Sequence, residues 1–306
     1  MIVTVTLNPA LDVAGATDRV VPGPKLRVSG VTTDPGGGGI NVARVVVRLG
    51  GEVLALAVLG GATGAQVAAL LAAEGVPVQA IPATGETRQS LSVTDAAGDQ
   101  WRFVLPGPPA PDAAALIAAV AAAAPPGALV VLSGSQPPGL EDGFAPRLAQ
   151  GLPGRRLVVD TSGPALVATL AGQGLHSLRM DQAEAEAAAG HALPRAEDTA
   201  GFCGGLVARG VAQVVIAARG ATGNVLVSGA GAWLCAPPVV PVVSAVGAGD
   251  SFTAAYVLAL DRGGDLADAL RAGTAAAAAA VTTPGTDLCH PADVARLAPL
   301  CRLTRL

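Results

Sequence analysis

Short apolar runs alternate with longer alanine- and leucine-rich stretches along most of the chain. IVTVTL (2–7), VLALAVL (53–59), VPVQAI (76–81), ALVVL (128–132), RLVVD (156–160), HSLRM (176–180) and AQVVIA (212–217) are apolar segments of strand length. Between them, INVARVVVRLG (40–50) and GAQVAALLAAEG (64–75) have helical length and close on glycine, a common helix stop. Strands that are apolar on both faces and separated by helices predict a mainly parallel sheet covered by helices on both sides. The expected fold class is therefore α/β, a three-layer α/β/α sandwich.

Two stretches break this rhythm. Residues 12–33 hold short β-like pieces with Pro and Gly turns, and RQSLSVTDAAGDQWRFVL (88–105) alternates like a hairpin around DAAGD. No helices accompany these strands, so they predict a small separate sheet at one edge of the main one. A doubly wound sheet binds its ligand beyond the carboxyl ends of its strands, so the small sheet is placed to act as a lid; an ordinary edge extension is the alternative. No repeat and no Gly/Ser linker interrupts the chain, and residues 1–306 are read as one domain with lid strands from about 12–33 and 88–105.

Composition narrows the classes. The alanine runs 113–124 and 275–281 are too short to span a bilayer, which needs about 20 residues, and the first stops at Pro125-Pro126. The start, MIVTVTLNPALD, has neither a basic segment nor a cleavage signal, which predicts a cytoplasmic protein without a membrane partner. Net charge is −4 and the arginines are scattered, so no basic stripe predicts nucleic-acid binding. Cys203, Cys235, Cys289 and Cys301 lie far apart without CxxC spacing and are read as reduced thiols. Lysine occurs once, Lys25, and asparagine three times, at Asn8, Asn41 and Asn224, so Lys25 and Asn41 draw attention.

Two glycine-rich segments carry the chemistry. PGGGGINVA (35–43) sets four glycines before a helix. PVVSAVGAGDSFTAAYVLAL (241–260) reads as a strand end, a tight Gly-Ala-Gly turn and a helix opening at Asp250. The amides of Gly247, Ala248, Gly249 and Asp250 would form an anion site at a helix N-terminus. A carboxylate inside an anion site makes sense if Asp250 takes a proton from an alcohol while the amides hold a transferring phosphoryl group. A plain N-cap is the simpler role for the same residue. No GxxxxGK[ST] loop exists, since the one lysine lies in PGPKL, and the GGGGINVA glycines lack the third glycine of a dinucleotide fingerprint.

TLNPALD (6–12), PGGGGINVARVVVRLGG (35–51), LGGATG (59–64), TRQSLSV (87–93), LSGSQPPG (132–139), VDTSG (159–163) and VGAGDSF (246–252) occur in this order. In that set the chain resembles the PfkB (ribokinase-like) family of carbohydrate kinases over essentially its whole length. The GGGGINVAR form, with KLR at 25–27 and the TRQ segment, most resembles the 6-phosphofructokinase branch. The resemblance implies ATP-dependent phosphorylation of the C1 hydroxyl of fructose 6-phosphate. It leaves 1-phosphofructokinase and tagatose-6-phosphate kinase as alternatives, and a catalytically weak sugar-phosphate-binding regulator as an alternative of another class.

The resemblance also implies roles. Asp250 would be the general base, with Gly247, Ala248 and Gly249 as the anion hole. The backbone of Gly37, Gly38 and Gly39 would approach the sugar, with Asp12 and Asn41 on its hydroxyls and Ser133 and Ser135 nearby. Lys25 and Arg88 would hold the sugar's phosphate, with Arg27 and Arg102 as lesser candidates. Glu184 would position Mg2+, and Arg179, Asp181, Ala218, Gly220 and Gly223 would face ATP. The adenine would use helix 266–281 and the loop 282–287, and carbonyls near Ser244, Val246 and Gly285 could hold K+. A homodimer through the lid strands is implied, with Arg88 a candidate to complete the neighbouring site. Two departures fall on the nucleotide side. Arg179-Met180-Asp181 stands where the family commonly has Lys-Pro-Asn, and AARGATG (217–223) where it often has SLGxxG. Asp181 thus adds a negative charge that could tighten Mg2+ binding or repel ATP.

Overall fold

The computed structural model describes every residue of the chain except Thr286. In chain order its strands are β1 (Ile2–Thr6), β2 (Ala10–Thr17), β3 (Ser29–Gly36), β4 (Val53–Leu59), β5 (Val78–Pro82), β6 (Arg88–Asp95), β7 (Gln100–Val104), β8 (Leu129–Ser133), β9 (Arg156–Asp160), β10 (Leu175–Met180), β11 (Ala212–Ala218), β12 (Asn224–Ser228), β13 (Gly231–Ala236) and β14 (Arg302–Arg305). The helices are α1 (Gly38–Arg48), α2 (Gly61–Ala73), α3 (Ala113–Ala123), α4 (Phe144–Gly151), α5 (Gly163–Ala171), α6 (Gln182–Ala189), α7 (Ala196–Ala208), α8 (Ala248–Asp261), α9 (Leu266–Ala280) and α10 (Pro291–Leu297).

The apolar runs become one ten-stranded sheet in the order β14-β13-β12-β11-β10-β9-β8-β1-β4-β5. From β11 to β5 every neighbouring pair is parallel. Successive residues of these strands enter opposite cores. Leu129 and Val131 of β8 pack with α1, α2, α8 and α9, while Val130 and Leu132 pack with α3, α4 and α7. This double burial is why the strands read as unbroken apolar runs. Three antiparallel strands, β12 to β14, extend the β11 edge.

The second sheet has the order β3-β2-β6-β7, with β2 and β6 parallel and the outer pairs antiparallel. Its β6–β7 turn is closed by Asp95, whose Oδ1 accepts from the amides of Ala97 and Asp99, each at 3.0 Å. One face carries exposed Val31, Trp101 and Phe103, while Val104 lies on the opposite face, toward Asp12 and Ser90.

Some expectations need correction. Residues 241–247 form no strand: Val242 and Val243 are exposed, and α8 is entered from an irregular segment. Helices α1 and α2 start at Gly38 and Gly61, earlier than the apolar pattern suggested. All four cysteines are free and buried. No helix among the described residues is long and apolar enough to cross a membrane.

Candidate active site

The carboxyl ends of β8, β9 and β10 bring Ser133, Asp160 and Asp181 to one edge of the sheet, and the start of α8 meets them from below. Gly247 caps α8 with φ +76°, a left-handed conformation that favours glycine. The Ser251 amide donates to the Gly247 carbonyl at 2.9 Å. Ahead of it, the Ala248 amide makes one long bond, 3.5 Å, to the Ala245 carbonyl, and the Gly249 and Asp250 amides lie upstream of the helical ladder, available to an anion.

Asp250 lies in that first turn. Asn41 Nδ2, from α1, donates to its Oδ2 at 2.9 Å. Burial pushes the carboxyl up to about 6, and the negative charge of Asp160 adds to the rise; Asn41, Arg179 and Ser133 oppose it. A carboxylate in that range is matched to proton abstraction near neutrality.

Two hollows meet at this carboxylate. One, of about 310 Å³, is lined by Asp12, Gly37, Asn41, Arg88, Arg102 and Asp250, among others. The other, of about 180 Å³, is lined by Ser133, Asp160, Arg179, Glu184, Gly249 and Asp250, among others. Asp250 and Ser135 belong to both. A larger space of about 680 Å³ opens on the far side of Arg88 and Ser135, and Arg88 and Asp142 are the titratable side chains in its lining.

In the first hollow, burial raises the carboxyl of Asp12 above its usual range, against the pull of Arg88 and Arg102. Arg88 donates from Nε and Nη2 to the Asn8 carbonyl at 3.2 and 3.1 Å, and burial lowers its own pKa. Arg88 lines both this hollow and the 680 Å³ space. Lys25 and Arg27 do not join it: both are exposed, in the segment between β2 and β3.

The glycine run has a physical cause within the protein itself. A Cβ on Gly36 would overlap the Asp12 carboxylate. On Gly37 it would stand 2.7 Å from Thr6 Cγ2, on Gly38 2.7 Å from the Gly134 amide nitrogen, and on Gly39 2.7 Å from the Val5 carbonyl. Each missing side chain leaves room for another part of the protein. Gly37 also lines the hollow, whereas Gly38 and Gly39 are not in its lining.

In the second hollow, Arg179 Nη1 donates to Asp160 Oδ2 at 3.0 Å, and its guanidinium lies 5.7 Å over the Phe252 ring. Its Nε is buried without a protein partner among the described residues. Gly249 is small because a Cβ there would come within 2.8 Å of that guanidinium. Thr253 Oγ1 donates to the same Asp160 oxygen at 3.2 Å.

Asp181 is not in the lining of either hollow. It is the N-cap of α6: its Oδ1 accepts from the Glu184 amide and its own amide donates to Glu184 Oε2, both at 2.8 Å. This reciprocal capping box accepts Asp or Asn equally well, which accounts for the departure at 181. Glu184 keeps Oε1 free of protein partners among the described residues, and burial raises its carboxyl above the usual range.

Ala218 ends β11, and Gly220 and Gly223 bracket a short 3-10 turn with φ +57° and +114°. Those three residues line neither hollow. Between them Arg219 is buried and donates to the Leu193 and Pro194 carbonyls, both at 2.8 Å. Ser244 Oγ donates to the Gly285 carbonyl at 2.9 Å and accepts from the Val246 amide at 3.2 Å. Of the loop assigned to adenine, Thr286 lies outside the described residues.

Asp160 and Asn8 had been given no role from sequence. Asp160 closes a strand whose three central residues, Leu157, Val158 and Val159, are apolar, and a charge at that carboxyl end is the signal that could have found it. Asn8 Nδ2 donates to Ser135 Oγ at 3.1 Å, tying the β1 exit to the β8 exit.

A mainly parallel sheet with a small accessory sheet, and a carboxylate between two polar hollows at the strand ends, define a small-molecule kinase. Residues 5–293 match the pfkB family of carbohydrate kinases, and the chain belongs to that family. It is 38% identical over 300 residues to the ATP-dependent 6-phosphofructokinase isozyme 2 of Escherichia coli, covering 97% of each chain. The solved phosphofructokinase-2 of Escherichia coli in complex with potassium superposes with a TM-score of 0.92, at 37% identity and 98% coverage of both chains. A 1-phosphofructokinase of Xanthomonas campestris is 36% identical over 266 residues, covering 84% of this chain and 83% of its own.

Proposed function

We propose that this chain transfers the γ-phosphoryl group of ATP to the C1 hydroxyl of fructose 6-phosphate, giving fructose 1,6-bisphosphate and ADP. The observation that carries this reading is Asp250, placed where the two hollows join and held near pH 6 by burial. Its supports include the similarity to the Escherichia coli isozyme.

The phosphosugar would occupy the 310 Å³ hollow. Asp12 and Asn41 would accept from and donate to its hydroxyls, and Arg88 with Arg102 would bind its phosphate. The small sheet, which supplies Asp12, Arg88 and Arg102, would form a lid over it. A site built on such polar partners rejects a sugar lacking the matching hydroxyl, because those partners would be left unpaired.

The γ-phosphoryl group would lie in the 180 Å³ hollow, against the first-turn amides of α8 and the Arg179 guanidinium. As the C1 oxygen forms its bond to phosphorus, Asp250 takes the hydroxyl proton and the bond to the ADP oxygen breaks. The amides of residues 247–250 and Arg179 stabilise the charge that spreads over the equatorial oxygens.

The donor set suits Mg2+. Glu184 offers one free carboxylate oxygen and Asp160 stands in the same hollow, which is what a hard cation carried on phosphates needs. Bound there, Mg2+ would neutralise phosphate charge. K+ would use the linked oxygens around Ser244, Val246 and Gly285. The rest of the nucleotide would run past Ala218, Gly220 and Gly223 toward α9. The exposed apolar face of the small sheet would pair with a second copy, a homodimer in which Arg88 serves its own site. A cytoplasmic reaction fits these substrates.

The similarity to 1-phosphofructokinases supports a second reading within the same chemistry, in which the phosphate and the attacking hydroxyl exchange ends. ADP release with Mg-ATP, compared across fructose 6-phosphate, fructose 1-phosphate and tagatose 6-phosphate, tests both. The first sugar should give the highest kcat/KM. A preference for another keeps Asp250 and moves the substrate, and no release with any of the three would refute the phosphosugar reading and point to a different alcohol or donor.

A further inference from the structure

Arg44 is one of the few charged side chains in the interior. It lies on α1, one turn after Asn41, and is 4% exposed. Its Nε and Nη2 donate to the two carboxylate oxygens of Glu74, at the end of α2, at 2.8 and 2.6 Å. Its Nη1 donates to the Pro35 carbonyl on β3 at 3.2 Å, and Asp34 Oδ1 stands 3.5 Å from Nη2. One guanidinium therefore joins α1, the end of α2 and the last turn of β3 before the glycine run.

A buried ion pair is a poor device for stability alone, since apolar residues of similar volume commonly serve as well or better. What the planar fork supplies is direction. The residue after Pro35 is Gly36, which has room only because the Asp12 carboxylate fills the place of its side chain. Asp12 is also paired in register with Asp34 across β2 and β3. Displacing Pro35 thus displaces Asp12.

We infer that Arg44 is a positioning residue for the sugar-phosphate hollow. It fixes the Asp12-bearing end of the small sheet on the helix that carries Asn41, so the two groups meant for the sugar hydroxyls are set from one point. Arg44 is not in the lining of either hollow, so any effect on substrate must pass through Asp12 and Asn41. The inference rests on the reading of that hollow as the phosphosugar site.

The test uses Arg44→Lys, which keeps the charge and loses the fork, and Glu74→Gln, which loosens the anchor without touching Arg44. Each variant is assayed with the phosphosugar that the wild type prefers. Calorimetric binding of that sugar without ATP gives a readout independent of turnover. Arg44→Lys should weaken sugar binding and raise its KM about tenfold, while KM for ATP and the acid midpoint of kcat stay within twofold of wild type. Glu74→Gln should shift sugar affinity in the same direction by less. Sugar affinity within twofold of wild type in a folded variant overturns the inference, and so does an equal rise in both KM values. If Arg44→Lys does not fold, Glu74→Gln decides alone by the same criteria. A wild type that binds none of the three sugars refutes the phosphosugar reading and, with it, the role given to Arg44. A wild type that binds one, with variants that bind it equally well, refutes only Arg44.

Discussion

Replacing Asp250 by Asn removes a negative charge and a proton acceptor while keeping size and shape. The carbonyl oxygen in Asp250→Asn can still accept from Asn41, so the junction between the hollows should hold its form. General-base catalysis contributes about 10²–10⁴-fold, and kcat should fall by that much while binding of the sugar phosphate persists. Stability should move the other way. In the folded chain the carboxyl is raised from 3.8 to about 6, so the folded state takes up a proton that the unfolded chain has already lost. Stability is therefore lost as pH rises from about 4 to about 6, and the full cost applies at neutral pH. The rise corresponds to about 3 kcal/mol, discounted to about 1–2 kcal/mol because the group keeps some contact with solvent. Asp250→Asn should thus raise Tm at pH 7 by a few degrees while turnover collapses. In the wild type, a base near 6 is about nine-tenths ionised at pH 7 and about one-tenth at pH 5, so kcat/KM should fall about tenfold between them. The assays are coupled ADP release across pH 5–8 and thermal melts of both proteins. A kcat within tenfold of wild type would refute the base assignment, and a fall in Tm alongside lost activity would refute the argument from burial.

Gly38→Ala should destabilise the protein by about 1–3 kcal/mol, as overpacking does, in melts run without any substrate, since its Cβ would crowd Ser133 and the Gly134 amide; an unchanged Tm with a raised sugar KM would return this glycine to the substrate. Glu184→Gln should raise the Mg2+ concentration for half-maximal rate about tenfold, and an unshifted Mg2+ titration would remove Glu184 from the cation site.

The parallel part of the large sheet was legible because strands buried on both faces leave unbroken apolar runs, as in β4 and β8. The small sheet was legible because its strands have no intervening helices. Strands β12 to β14 were not: they are short, and β14 stands some 70 residues from its partner β13 in sequence. The segment 241–247 has strand-like composition but no strand beside it, and composition carries no information about partners. GAGD could be read as chemistry because the turn, the amides and the carboxylate are all local. The reason for the glycine run could not, since Thr6, Asp12, Gly134 and Val5 reach it from three separate segments. Asp181 is the opposite case. The D-x-x-E spacing of a capping box was present in the sequence, but comparison with the family pattern drew attention to its charge instead of its place at a helix start.

Asp250 borders both hollows, so it is open from the sugar side whenever no sugar is bound. Its chemistry does not distinguish an alcohol from water, and a water molecule there would be as readily deprotonated as the C1 hydroxyl. Wasteful hydrolysis of ATP must then be restrained by occupancy of the hollow. A hollow of about 310 Å³ has room for roughly ten waters at about 30 Å³ each, and the sugar must displace most of them. A phosphosugar with a hydrogen in place of its C1 hydroxyl would fill the hollow except for one oxygen site beside the base. Such a molecule would turn a kinase into an ATPase.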